Sequence, residues 1–416
     1  MKDWIRERRW FRDKARAIVD AALVETYPLD LGTEHAALAI ASIRFEDGGE
    51  ERYVLFPREA GPTADALAEP RLVAALLDKM KGGGTRIESK EGTLVFRPLP
   101  GFDKVSAESF TPILSSKEQT NTSIPFGDAY ILKIVRKLDE GRSAELEMGE
   151  FLTRHGYASS PPVLGAIEID RHWHDHQKKG EPSTVGIVHR YLANRGDAWE
   201  FALESVGKSK DPATFEPHAR LLGKRVAEMH AVLTKASPTE HAFTAEKLER
   251  SKRKELADSV AARVAELKAH LKNGEADKVD KRTKAFIDLA KDPVVTRVHG
   301  DLHLGQILVT PGEDFVIIDF EGEPARPIAE RKAKRSPMAD VAGMLRSFDY
   351  AAATAKLPRD WYHRTAETFL SSYGEIHRAV LDFYLIEKCV YEIAYEANNR
   401  PAWIDIPLAG LRELLA

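Results

Sequence analysis

Apolar and polar positions alternate through the first half of this chain and fall into helical spacing through the second. After a charged opening helix, the alternation predicts strands at 37–45 and 52–56. A helical stretch at 65–80 follows and breaks at Gly82-Gly83-Gly84, and strand-like runs lie at 85–89 and 93–97. Strands are expected again at 109–114 and 129–135, then a helix at 141–153, then strands at 164–168 and 184–190. From Gly196 onward the three-and-four spacing predicts helices at 198–206, 215–234, 245–271, 282–290, 338–355, 359–373 and 379–398. One island, 296–324, interrupts them with β-branched runs and turn residues. The pattern divides the chain into a first unit (1–97), a second (98–195) and a largely helical third (196–416), an α+β arrangement.

The island carries the chemistry. It reads Thr296-Arg-Val-His-Gly-Asp-Leu-His-Leu-Gly-Gln-Ile-Leu-Val-Thr-Pro-Gly-Glu-Asp-Phe-Val-Ile-Ile-Asp-Phe-Glu. A hairpin is expected, with strands at 307–309 and 315–318 around the turn Pro311-Gly-Glu-Asp. Its two ends then set Gln306 beside Asp319, and Asp301 can reach the same point. Phosphoryl transfer needs a carboxylate to orient a hydroxyl and accept its proton, and oxygen ligands to hold magnesium on the phosphates. Asp301 suits the first role; Gln306 and Asp319 suit the second, with Glu321 as a further ligand. The order carboxylate, amide, carboxylate is that of the protein-kinase catalytic loop and its metal-binding aspartate. Here Gln replaces Asn, and Asp-Phe-Glu replaces Asp-Phe-Gly. Ordinary turn polars would explain His-Gly-Asp alone, but not the whole string. His299 reads as a scaffold residue. His303 is open between sugar contact, scaffold and surface.

A kinase also needs a cation on the phosphates of ATP. Lys133 sits in the apolar strand Ala129-Tyr-Ile-Leu-Lys-Ile-Val and needs an anionic partner; a snorkelling edge-strand lysine is the plain alternative. Glu145 and Glu147 on the following helix point in different directions. Glu147 is favoured, because Phe151 shares its face, and Glu145 stays open. The turn-rich segment Glu118-Gln-Thr-Asn-Thr-Ser123 precedes that strand and offers the hydroxyls of Thr122 and Ser123 to phosphates. The string Gly-x-x-x-x-Gly-Lys-Ser/Thr is absent. The strand ending at His189 and Arg190, followed by Tyr191-Leu-Ala-Asn-Arg-Gly196, reads as a hinge whose residues, His189 and Tyr191 among them, meet the nucleotide.

Composition narrows the classes. The chain has 416 residues, 43% hydrophobic and 30% charged, with a formal charge of −4. Length and composition suit a globular protein of two or three packed units, and the charge argues against a nucleic-acid partner. The single cysteine, Cys389, allows no intrachain disulfide and reads as core. No stretch approaches the roughly 20 apolar residues of a membrane span, and the N-terminus has no apolar signal core. A cytoplasmic enzyme is expected, with no membrane partner. His172, His174 and His176 alternate as ligands on one strand face would, but their polar setting, with Lys178 and Lys179 adjacent, reads as a solvated hairpin tip. The charged stretch 240–284 mixes both signs and reads as a solvated helical hairpin.

With these residues in place, the chain resembles bacterial maltokinases, including the kinase part fused to trehalose synthase, within the aminoglycoside phosphotransferase-like superfamily. The resemblance runs over essentially the whole length. It rests on Arg9-Trp-Phe, Glu118-Gln-Thr-Asn-Thr-Ser, Tyr130-Ile-Leu-Lys, Asn194-Arg-Gly-Asp-Ala-Trp-Glu and His299-Gly-Asp-Leu-His-Leu-Gly-Gln. It continues through Ile318-Asp-Phe-Glu-Gly-Glu-Pro-Ala-Arg-Pro, Arg335-Ser-Pro-Met-Ala-Asp-Val-Ala-Gly-Met-Leu-Arg-Ser-Phe-Asp-Tyr and Tyr391-Glu-Ile-Ala-Tyr-Glu-Ala-Asn-Asn-Arg-Pro. It departs at Trp10-Phe-Arg-Asp-Lys14, where the family commonly reads Trp-Phe-Gly-Gly-Lys.

The resemblance implies a bilobal protein-kinase-like fold with an N-terminal cap subdomain, a nucleotide-binding intermediate part and a helical C-lobe. It implies transfer of the ATP γ-phosphate, with Mg2+, to the anomeric hydroxyl of maltose, giving maltose 1-phosphate for α-glucan synthesis. It also implies that Gln306 is normal, and a functional association with trehalose synthase. Amides, hydroxyls and aromatic faces for a sugar are densest near the end of the chain. Tyr391, Tyr395 and Asn398 share one helix face, Asn399 follows Tyr395 by four, and Pro401 stops the helix. By analogy with kinase-like folds, this face meets the acceptor; tyrosines packed on a neighbouring helix and capping asparagines are the plain alternative. Kinases for another sugar or amino sugar, and a non-catalytic nucleotide- or glycan-binding module, are the competing functions.

Overall fold

The computed structural model describes residues 1–30, 35–58, 61–104, 112, 121–171, 180–209, 212–323 and 326–416. The expected strand at 109–114 (Pro112 apart), positions 118–120 of the polar loop, and His172, His174 and His176 lie outside them. The chain forms two compact units, Met1–Thr153 with Pro161–Ala193, and Arg154–Ser160 with Asn194–Ala416. The stretches expected as a cap and as a nucleotide-binding part therefore share one unit.

That first unit holds two antiparallel sheets. In one, β1 (Ile18–Asp30), β2 (His35–Phe45), β4 (Pro57–Arg58) and β5 (Gly61–Asp65) follow in order, and β3 (Glu50–Leu55) also pairs with β2. Strand β2 is apolar on both faces because both are covered. Leu38 and Ile40 join Tyr27, Val54 and the leucines of α2 (Pro70–Asp78). Ala41, Ile43 and Phe45 meet Trp10, Phe11 and Tyr53, with Ile5 of α1 (Lys2–Glu7) beside them. The helix expected from 65 starts later. Asp65 accepts a hydrogen bond from the Leu67 N–H at 3.0 Å, and Pro70, which needs no donor at a helix start, opens α2. The long strand β1 was not anticipated; half of it is exposed, which blurs its alternation.

The second sheet runs β6 (Thr85–Glu88), β7 (Gly92–Pro98), β10 (Val163–Arg171), β11 (Ser183–Arg190), β9 (Tyr130–Ile134), β8 (Thr122–Phe126). The helix α3 (Ala144–Arg154) belongs to this part, and its Leu146 packs on Val163, Ala166 and Ile187. Arg136 is 1% exposed and ties the two sheets together. Its guanidinium donates to Thr122 Oγ1 at 2.8 Å and to the Val54 carbonyl at 3.2 Å, pairs with Asp65, and lies over the Trp10 ring.

The second unit is helical around α9 (Met338–Thr354), which is buried nearly all round, as a central helix must be. Around it lie α4 (Ala198–Ser209), α5 (Glu216–Leu233), α10 (Arg359–Tyr373), α11 (Arg378–Asn399) and α12 (Asp405–Leu415), with the short α8 (Ile328–Arg331) before it. The charged hairpin is α6 (Arg250–Glu266) and α7 (Glu275–Ile287). The helix expected from 245 begins five residues later, because β12 (Glu246–Lys247) pairs with β13 (Val294–Val295). Nor is this hairpin simply solvated: Arg253 is 1% exposed and donates to the carbonyls of Leu248, Ile287 and Leu289. Among the described residues no helix is long and apolar enough to cross a membrane.

Gly343 of α9 fixes how closely that helix approaches the island. A Cβ there would lie 2.4 Å from the Leu302 carbonyl oxygen. We expect Gly343→Ala to cost about 1–3 kcal/mol by overpacking, more than helix propensity returns. The check is the urea midpoint at unchanged m.

Candidate active site

In the first unit, the sheet delivers Lys133. Strand β9 pairs with β8 and β11, so Lys133 lies opposite Ser123 on one side and Ile187 on the other. Its ammonium sits 2.7 Å from Glu145 Oε2, and His189 Nε2 lies 3.4 Å from Glu145 Oε1. The expected partner, Glu147, is corrected to Glu145. The buried stripe of α3 runs through Glu145, Met148, Gly149 and Leu152, spaced three and four apart. Glu147 shares a face with Phe151, but Glu150 and Arg154, the other residues on its row, are partly or fully exposed. Burial alone would raise the Glu145 carboxyl; Lys133 and His189 hold it well below the usual range instead.

The polar loop is also revised. Thr122 and Ser123 belong to strand β8, and the Thr122 hydroxyl already accepts from Arg136. Ser123 still lies directly across from Lys133. Tyr191 donates its backbone N–H to the Ala129 carbonyl at 2.8 Å.

In the second unit the island folds as expected. Strands β14 (Ile307–Val309) and β15 (Phe315–Ile317) pair, and the Ile318 N–H donates to the Gln306 carbonyl at 3.0 Å. That bond closes the hairpin and sets Gln306 next to Asp319. Asp319 has a φ of 64°, a left-handed conformation rare outside glycine. Such backbone persists only where neighbours enforce it, and one of them is His299, whose Nε2 donates to the Ile318 carbonyl at 2.9 Å. With Nε2 protonated, His299 Nδ1 accepts from the Asp301 N–H at 3.3 Å. His299 thus braces the loop from both ring nitrogens.

The loop is pinned from below by Asp340 of α9. Its carboxylate accepts the N–H groups of His299 and Gly300 at 2.8 and 2.9 Å, and lies 3.0 Å from His230 Nε2. The other ring nitrogen of His230 meets the Tyr373 hydroxyl at 2.9 Å. Burial pushes the Asp340 carboxyl up, but His230, His299 and the Gly300 N–H outweigh it and hold it low. Gly300, at φ 83°, lets the chain turn there.

Asp301 faces Lys388 of α11, 3.8 Å away. His303 Nδ1 accepts from the Gly305 N–H, and burial pushes its imidazole below the ordinary value. Glu323 is 5% exposed and bonds Arg326 at 2.5 Å. Burial and the Glu323 carboxylate raise the Tyr391 phenol. Tyr391 and Tyr395 stack at 6.4 Å, as their spacing implied. Arg263 and Lys388 lie over the Tyr391 ring, and Arg400 over that of Tyr395. Asn398 and Asn399 are exposed and donate back to the Ala394 and Tyr395 carbonyls, capping their own helix end.

Asp319 and Glu321 present carboxylate oxygens within 4.8 Å of one another. Two hard oxygen donors, close in the chain to the Ile318 bond that ties the hairpin back to Gln306, fit a magnesium ion. The residues that sequence reading passed over are Asp340, His230, Lys388 and Glu323. A carboxylate and a lysine within apolar helical runs were the only signals available.

Residues 116–384 match the model of the phosphotransferase enzyme family, and residues 4–88 match the maltokinase N-terminal cap domain. A glucosamine kinase of Mycolicibacterium smegmatis is 28% identical over 94% of this chain and 98% of its own. One from Streptacidiphilus jiangxiensis is 25% identical over 93% of this chain and 90% of its own. A solved glucosamine kinase, in complex with glucosamine, ADP and inorganic phosphate, is 19% identical with a TM-score of 0.72. It covers 100% of this chain and 99% of its own. The fold is the kinase-like α+β fold, with a sheet-rich N-terminal part and a helical C-terminal part. ATP is the phosphoryl donor, Mg2+ the metal, and a hydroxyl group the acceptor. With its family model matched over well more than half its length, the chain belongs to the phosphotransferase enzyme family.

Proposed function

We propose that the protein is a sugar kinase that phosphorylates the anomeric hydroxyl of maltose. Asp301 orients that hydroxyl and takes its proton, and Lys133, held by Glu145, binds ATP phosphates. Gln306, Asp319 and Glu321 hold Mg2+, which when bound offsets charge on the phosphates. Ser123, Thr122, His189 and Tyr191 are the further nucleotide contacts of this reading. His303, Tyr391, Tyr395, Asn398 and Asn399 are its acceptor contacts. A cytoplasmic location and an association with trehalose synthase belong to the same proposal.

One observation carries the choice of a neutral sugar. The cation of Lys388 sits beside Asp301, while the nearby carboxylate of Glu323 is committed to Arg326. A glucosamine ammonium would meet a like charge there, whereas a neutral hydroxyl would meet a donor. The matched cap domain supports the same choice. The second reading, an amino sugar, is favoured by the glucosamine kinases among the relatives. An ADP-release assay over maltose, glucose, glucosamine and choline separates them. We expect turnover with maltose at least roughly tenfold above glucosamine, about 1.4 kcal/mol; the reverse order would replace maltose by the amino sugar.

A further inference from the structure

Next to the acceptor end lies a cleft of about 630 Å3 within the second unit. One wall is a single face of α6, where Lys252, Leu256, the adjacent Ser259 and Val260, and Arg263 recur every three to four residues. The opposite side includes Glu323 and Tyr391. These two residues belong to the acceptor end as well: Glu323 follows Glu321 and Asp319 by two and four positions, and Tyr391 shares α11 with Lys388. The cleft thus shares Glu323 and Tyr391 with the acceptor end. Pockets that bury drug-sized ligands span roughly 300–1,000 Å3, so this one has room beyond a single hexose.

Its chemistry is that of a polyol site. Aliphatic side chains alternate with polar ends, which suits a sugar ring with apolar faces and hydroxyl edges. The deep carboxylates are spoken for: Glu323 by Arg326, and Glu387 by Arg335 at 2.5 Å. Arg263 is different. It is half-buried and lies 5.4 Å over the Tyr391 ring, and among the described residues its guanidinium has no hydrogen-bond or ion-pair partner. A guanidinium offers a planar fork of five donors. Two adjacent ring hydroxyls present acceptors at matching spacing.

We propose that this cleft is an outer acceptor subsite in which Arg263 grips neighbouring hydroxyls of sugar rings beyond the one phosphorylated. The enzyme then prefers linear glucosides of two or more rings over glucose. This rests on the reading of the protein as a kinase for neutral sugars.

The test measures kcat/KM for glucose, maltose and maltotriose with wild type, Arg263→Ala, Arg263→Lys and Ser259→Trp. Wild type should favour maltose over glucose, and Arg263→Ala should lower that ratio at least roughly tenfold, as loss of a central arginine anchor does. Arg263→Lys should fail to restore it, because a lysine keeps the charge and loses the fork. Ser259→Trp should depress maltotriose more than maltose by narrowing the cleft. Thermal midpoints check the fold, since the Arg263 guanidinium has only its cation–π contact with Tyr391 to lose. An unaltered ratio in Arg263→Ala, full rescue by lysine, or equal losses on glucose and maltose would overturn the subsite while leaving the maltose reading intact. A wild type that phosphorylates glucosamine and no glucoside overturns both.

Discussion

Asp301→Asn should lower kcat by roughly 10²–10⁴-fold, the range associated with losing a general base, while ATP affinity stays within about threefold of wild type. The asparagine keeps the shape of the side chain but cannot take a proton. Asp301 is held by its backbone, whose N–H donates to His299, so its side chain does not carry the loop. The neighbouring Lys388 remains partly exposed and can be solvated without its partner. Single-turnover ADP release and a separate titration of ATP binding divide the two effects. A parallel loss of ATP affinity would show that Asp301 serves the nucleotide, and near-normal turnover would remove it from catalysis.

What was legible in the sequence was local. The hairpin at 307–317 was readable because its register depends only on a short turn between two apolar triplets, and the Ile318 bond to Gln306 follows from that register. Asp319, Gln306 and Asp301 were readable for the same reason: a few residues separate them and one turn sets them. The strand carrying Lys133 was equally plain, since it is a run of apolar residues with one cation. Its partner was not. Glu145 and Glu147 lie in the same helical turn, and one buried neighbour, Phe151, pointed to the wrong one. The width of the buried stripe decided it, and that width depends on how α3 seats on Val163 and Ile187, two strands that sequence spacing cannot bring to the helix.

The missed residues act across long separations. Lys388 reaches Asp301, and Asp340 reaches His299 and Gly300, from helices far along the chain. A lysine or an aspartate inside an apolar helical run is visible in one sequence, but nothing there says what it meets. Thr122 and Ser123 illustrate the opposite error. Polar, turn-forming residues suggest a loop, yet the pairing with β9 draws them into a strand, as tertiary context often does to weak propensity. The aromatic face of α11 was legible as a face. Its occupants were not: Arg263, Lys388 and Arg400 already lie over those rings.

Asp340→Asn should be the most damaging change outside the groups that touch substrate. The wild-type carboxylate accepts two backbone N–H groups and faces His230, all in a buried setting. An amide has one acceptor oxygen and one donating nitrogen, so at least one of the three groups meets a donor. Leaving a buried donor unsatisfied costs about 1–3 kcal/mol. The same change frees the backbone of His299 and Gly300, and a displacement near 1 Å at the reacting group can cost about 10²-fold in rate. We therefore expect a lower urea midpoint and a kcat reduced at least roughly tenfold even where the variant is fully folded.

The pH dependence supplies a separate reading. Because the folded carboxyl is held below its ordinary value, its stabilisation is fully present above the unfolded value near about 4 and is lost as pH falls through the folded value. The stability gap between wild type and Asp340→Asn should accordingly stay flat from neutral pH down to about 5 and narrow below about 4. Urea melts of both proteins across that range measure it. A gap that persists unchanged in acid would mean that Asp340 contributes by shape rather than by charge. Wild-type kcat in folded Asp340→Asn would mean that the loop holds its geometry without it.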